Sequence, residues 1–151
     1  MCTQCLPQIN EEKVNQFAQW MIGHLNGAAI ALMTSIGHRT GLFDMMATMD
    51  FATSQEIADA AGLNERYVRE WLGTMTTGKI VEHDEVTNRY RLPAEHAALL
   101  TRGATPNNIA VTMQWVSVLG GVEDGIVECF QRGGGVPYEK FTRFHEVMAE
   151  E

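Results

Sequence analysis

The sequence predicts a mainly α fold: a winged helix-turn-helix with a small two-stranded β-wing, flanked by a long N-terminal helix and further C-terminal helices. Three observations carry this. A helix with a capping signal at Thr53–Glu56 ends at Gly62. A second apolar-faced helix starts after only Leu63 and Asn64. Two short alternating segments flanking the polar stretch Asp84–Asn88 then read as a hairpin.

The elements follow in order. Residues 1–9 lack apolar periodicity and are expected to be disordered. Cys2 and Cys5 form a C-x-x-C with no second pair, so neither a metal nor a redox site is expected there. From Asn10, with Glu11 and Glu12 in a first turn that favours acids, a helix runs to Gly37. Val14, Ala18, Met21, Leu25, Ala28, Leu32 and Ile36 step along it by three or four, and Phe17, Ile22, Ala29 and Met33 widen the stripe. Gly23, Gly27 and Gly37 are candidate breaks, leaving one helix or two collinear ones. This stripe exceeds what a small winged module covers, which points to burial against a second subunit or domain. A short helix is expected over 41–49.

In the module, the Thr53 hydroxyl and Glu56 carboxylate satisfy free N–H groups at a helix start. Ile57, Ala58 and Ala61 form its apolar face, and Gly62 ends it. Asn64 caps the second helix, whose Tyr67, Val68, Trp71, Leu72 and Met75 are assigned to the core, and Gly78 stops it. Lys79–His83 and Arg89–Leu92 are the predicted strands, and Pro93 opens a helix over Ala94–Leu100. A helix over Ile109–Leu119, a hinge at Gly120–Gly121, a helix over Val122–Gln131 and a loop at Gly133–Pro137 follow. Cys129 is expected to be a small buried hydrophobe. A last helix from near Tyr138 carries Phe141, Phe144, Val147 and Met148 into Ala149-Glu150-Glu151, an ending without a stop signal that reads as a cut through a longer chain. Residues 10–104 then form the helical dimerisation segment and winged module, and 105–151 a helical linker or lid.

Composition narrows the function. The 151 residues are 45% hydrophobic with a net charge of −8, and mean hydropathy is −0.14. No apolar run nears the roughly 18 residues of a membrane span, and no signal peptide is evident, so the expected compartment is the cytoplasm. Within 64–92, Arg66, Arg69, Lys79, Arg89 and Arg91 are matched by Glu65, Glu70, Glu82, Asp84 and Glu85. A DNA reader needs cations for phosphates and polar side chains for base edges. A neutral helix face and an acidic wing tip make nucleic acid an unexpected partner.

The runs GLFDMMA, TSQEIADAAGLNERYVREWLGTMTTGKIVEHD and RYRLPAEHAALLT resemble the N-terminal winged-helix region of bacterial class I S-adenosylmethionine-dependent methyltransferases of the small-molecule type. The resemblance covers about residues 25–145. It implies a region that dimerises through its N-terminal helices and caps the active site, with S-adenosylmethionine held by a following Rossmann-like domain. That domain's strand, Gly-x-Gly turn and acidic residue are missing: Gly133–Gly135 follows a helix and precedes Val136-Pro137. No cofactor, catalytic or metal residue is therefore assigned.

Residues that could line a substrate pocket in the parent enzyme remain. Of five histidines, His83 and His96 are expected to be exposed, whereas His24, beside the apolar stripe, and His145, near Phe141 and Phe144, are better placed. Met113, Trp115 and Tyr138 complete the candidate substrate-lining set, with core packing the competing reading for each. The function expected is the dimerisation and substrate-capping part of such a methyltransferase. The alternatives are a winged-helix transcriptional regulator binding DNA, or a non-catalytic module forming mixed dimers with a full-length relative.

Overall fold

The computed structural model describes residues 9–151. Cys2, Cys5 and the expected terminal disorder lie outside the described residues, apart from exposed Ile9.

Helix α1 spans Glu11–Thr40. The Asn10 side chain accepts from Lys13 N at 3.0 Å, and Gly41, at φ 74°, ends the helix in the left-handed region. The helix is unbroken through Gly23, Gly27 and Gly37. Gly37 is required for packing: a Cβ there would lie 2.5 Å from Trp71 Cζ2 and 2.7 Å from Phe43 Cε2. The helix divides along its length. Glu11–Ala29 is exposed all round, whereas Ala31, Thr34, Ser35, Gly37 and His38 are buried.

Helix α2 is Leu42–Met46, α3 is Ser54–Ala61 and α4 is Glu65–Thr77. The Thr53–Glu56 box forms in both directions, with Glu56 N donating to Thr53 Oγ1 at 3.2 Å and Thr53 N donating to Glu56 Oε2 at 2.8 Å. Gly62 is left-handed at φ 67°. Gly78 caps α4 without that conformation, and Lys79 takes the left-handed place instead at φ 59°.

This shortens the first predicted strand. The N–H groups of Ile80 and Val81 both donate to Met75 O, at 2.8 and 3.3 Å, and so wrap the end of α4. Strand β1 is therefore only Glu82–Asp84, paired antiparallel with β2, Arg89–Arg91, in the register His83 opposite Tyr90. Asp84 Oδ1 accepts from Val86 N at 2.9 Å and its Oδ2 from Thr87 Oγ1 at 2.6 Å, closing the wing turn. Tyr90 also exchanges backbone bonds with Ala52, at 2.8 and 3.0 Å, fixing the wing to the start of α3.

Helix α5 covers Ala94–Leu100, as the sequence indicates. The single helix expected over Ile109–Leu119 is instead two, α6 at Ile109–Thr112 and α7 at Trp115–Gly120. At the break sits Gln114, fully buried and hydrogen-bonded to side chains of the C-terminal segment. Helix α8 is Glu123–Arg132. The last predicted helix begins later than expected, as α9 at Phe144–Glu150, after a single 3-10 turn at Tyr138–Lys140.

The core lies between α1, α2, α3 and α4. Phe43, Met46, Ile57, Val68, Trp71, Leu72 and Met75 are all buried, and Phe43 meets Trp71 edge-on at 5.2 Å. Trp71 Nε1 donates to Met33 O at 2.8 Å, so the largest core side chain is also satisfied. Tyr67 departs from its core assignment, being 72% exposed. It precedes Val68 on α4 and so points about 100° from the buried face. Cys129 is half-buried rather than buried, because α8 keeps only one flank covered.

Candidate functional site

The C-terminal segment packs an aromatic group around Phe144, at the start of α9. Trp115 of α7 meets it edge-on at 5.1 Å and Tyr138 at 5.4 Å, with Phe141 at 6.1 Å and His145 at 5.6 Å. Trp115 is half-buried and Tyr138 is 70% exposed. Tyr138, Phe141, Phe144 and His145 share an open cavity of about 490 Å³. Three of the residues singled out from sequence, Trp115, Tyr138 and His145, thus meet around one ring. Met113 is half-buried at the α6–α7 break and does not line that cavity. His24 is placed elsewhere, on the exposed half of α1 with its ring 4.2 Å from Trp20.

Behind the aromatic group runs a polar chain. Gln114 Nε2 donates to Glu150 Oε2 at 2.6 Å, and Arg143 Nη2 donates to Gln114 Oε1 at 2.6 Å. His38, 3% exposed, approaches the same Glu150 oxygen at 3.2 Å. An ionised carboxylate only accepts, so Nε2 carries the proton of that bond. The Gln114 hydrogen bond, with help from His38 and the Arg143 charge, holds the Glu150 carboxyl below its usual range against the opposing effect of burial. Among the described residues, His38 Nδ1 and Arg143 Nη1 are buried without a hydrogen-bond partner. Trp115 Nε1 donates to Glu151 Oε1 at 2.9 Å, linking the two groups.

Sequence reasoning did not select His38, Gln114, Arg143 or Glu150. Two had a readable signal. Gln114 falls between Val111 and Val118 on a buried stripe, and His38 follows Ala31 and Thr34 on another. Arg143 and Glu150 sit among solvated charges and carry no such mark. The other two histidines are half-buried instead of exposed. His83 stacks on Tyr90 at 4.6 Å, and His96 Nδ1 lies 2.8 Å from Ile80 O.

The face a helix-turn-helix would turn to DNA is largely neutralised. Arg69 pairs with Glu65 at 3.7 Å, Arg89 with Glu56 at 3.3 Å and Arg91 with Glu82 at 2.6 Å. Arg91 also lies 4.6 Å over the Phe51 ring. Among the described residues no group of three or more metal-ligating side chains comes together, and no helix is long and apolar enough to cross a membrane.

These features define a winged helix-turn-helix scaffold with apolar surfaces left open at both ends. Residues 28–102 match the model of the Rv2258c-like winged helix-turn-helix domain family. The fold is similar to part of the mitomycin 7-O-methyltransferase MmcR, with a TM-score of 0.69 at 15% identity over 93% of this chain and 44% of that one. It is also similar to CalO1, a methyltransferase in calicheamicin biosynthesis solved with SAH bound, with a TM-score of 0.63 at 16% identity over 95% and 44% of the two chains. Human N-acetylserotonin methyltransferase, solved with SAM, gives 0.62 at 16% identity over 99% and 44%. The chain therefore spans less than half the length of these neighbours. No curated protein matches it by sequence.

Proposed function

We propose that these residues are the non-catalytic region of an S-adenosylmethionine-dependent small-molecule methyltransferase, holding two copies together and forming one wall of the substrate pocket. Residues 10–104 supply the dimerisation segment and winged module, and 105–151 the wall; the cofactor belongs to a domain outside this sequence. The observation that carries the reading is the pair of open apolar surfaces that flank a closed core.

The first is the arm of α1, where Val14, Phe17, Trp20, Met21, Ile22 and Leu25 are all about half or more exposed. Between Val14 and His38 there is no Asp, Glu, Lys or Arg, so a second copy meets no like charge along this face. A stable dimer needs on the order of 800 Å² per partner, and aromatic and aliphatic side chains in this number supply an area of that order. The second is carried by α7, α8 and α9, where Val116, Leu119, Ile126, Val127, Phe130 and Met148 are exposed. We assign to this surface the contact with the cofactor domain, and to Met113, Trp115, Tyr138 and His145 the lining of an apolar substrate pocket. His24 would join only from the arm. Nucleic acid is not the partner in this reading, and the compartment is cytoplasmic.

The test is calorimetric. S-adenosylmethionine titrated into the 151-residue chain produces no heat of binding under this account. Micromolar binding would overturn the placement of the cofactor site, and salt-sensitive retention of genomic DNA fragments would favour the regulator.

A further inference from the structure

One cavity shares no lining residue with the one the aromatic group forms and is used by nothing described above. The loop Gly133–Pro137 folds back along α8 so that Val136 Cγ2 would sit 3.1 Å from a Cβ placed on Gly125. Between loop and helix is an open space of about 490 Å³, within the range that holds small organic ligands. Its floor is apolar, with Val122 buried and Val136 half-buried. Its rim carries two cations, Arg132 at the end of α8 and Lys140 beyond the loop, against a single acid, Glu128.

Two facts give this space a chemical preference. Among the described residues, neither Arg132 nor Lys140 takes part in an ion pair, whereas Arg69, Arg89, Arg91, Arg102 and Arg143 all do. The N–H groups of Gly134, Gly135 and Val136 likewise have no hydrogen-bond partner among the described residues. Unspent cations beside unspent amide donors favour an anionic oxygen group. In a chain of net charge −8, the lining of this cavity carries more cations than acids. We propose that the groove between α8 and the Gly133–Pro137 loop binds an organic oxyanion, a carboxylate or phosphate ester whose apolar body rests on Val122 and Val136. The anion sits between Arg132, Lys140 and the glycine amides. The proposal is independent of the methyltransferase reading.

Cys129, half-buried on the same wall, provides the reporter. Its alkylation by iodoacetate, an anion, and by iodoacetamide, which is neutral, is followed by peptide mass spectrometry on the folded chain and on the same chain in urea. Folding raises the iodoacetate-to-iodoacetamide rate ratio at Cys129 about threefold, the size expected of two partly solvated charges. The double variant Arg132→Gln, Lys140→Gln returns the ratio to its urea value, while Glu128→Gln raises it further. Circular dichroism confirms that each variant keeps the parent helix content. Inorganic phosphate and butyrate, added separately, each slow the iodoacetate reaction of the parent chain and not of the double variant; the more protective probe identifies phosphate ester or carboxylate. A ratio unchanged by folding, or unaffected by the double variant, overturns the proposal. A raised ratio that neither probe lowers also overturns it, because the charges would then act on the thiol without holding a ligand.

Discussion

Helix α1 is two different objects joined end to end. From Ile30 to His38 it is part of the core, with Gly37 admitting the rings of Trp71 and Phe43 and Met33 O receiving the Trp71 N–H. From Glu11 to Ala29 every residue is exposed, although Phe17, Trp20, Ile22 and Leu25 are as apolar as anything in the module. That arm extends about 28 Å. It continues without a break from the anchored half of the helix, and no residue of it is buried. The same residue chemistry is thus buried at one end and exposed at the other.

The largest break in this contrast comes from Trp71→Ala. It opens a cavity among fully buried neighbours and removes the bond to Met33, and denaturant unfolding should show a loss of about 3–5 kcal/mol. Trp20→Ala, on the arm, leaves the unfolding midpoint of a dilute, monomeric sample nearly unchanged.

A sharper comparison uses one substitution at two places on the same helix. Gly37→Ala forces a methyl group into Trp71 and Phe43 and should cost about 1–3 kcal/mol. Gly27→Ala meets nothing within 4 Å, and by helix propensity alone should stabilise a monomer by up to about 1 kcal/mol. A loss of stability in Gly27→Ala that appears only at high protein concentration would place a second copy against that face.

A smaller effect tests the polar chain behind the aromatic group. Glu150 has its carboxyl held low by Gln114, His38 and Arg143. Its folded pKa is below its unfolded one, so its stabilisation is complete above the ordinary glutamate value, about 4.3. It is lost as pH falls through the lowered folded value. Gln114→Leu should flatten that acid limb of the stability-against-pH curve. An unchanged acid limb would show that the Gln114 bond does not set the Glu150 titration.

The winged module was legible in the sequence because its signals are local. The Thr53–Glu56 box, Asn64, Gly62 and Pro93 each fix a boundary within a few residues. Tyr67 shows where periodicity misleads: one position off the buried face, an aromatic ring is counted as core and stands in solvent. The C-terminal segment was legible only in part, because its shape depends on contacts between distant residues. Gln114 breaks a helix that its neighbours favour, and it does so beside Glu150 and Arg143, which no local pattern connects to it. Trp115, Tyr138 and His145 were selected for their chemistry, and the ring of Phe144 brings them together.

The central claim is that the bare arm of α1 is covered by a second copy, and sedimentation velocity on the 151-residue chain tests it most directly. The account predicts a dimer at micromolar concentration that becomes a monomer in the double variant Phe17→Glu, Leu25→Glu, with the circular dichroism of the winged module retained. A parent chain that sediments as a monomer across that range would contradict it.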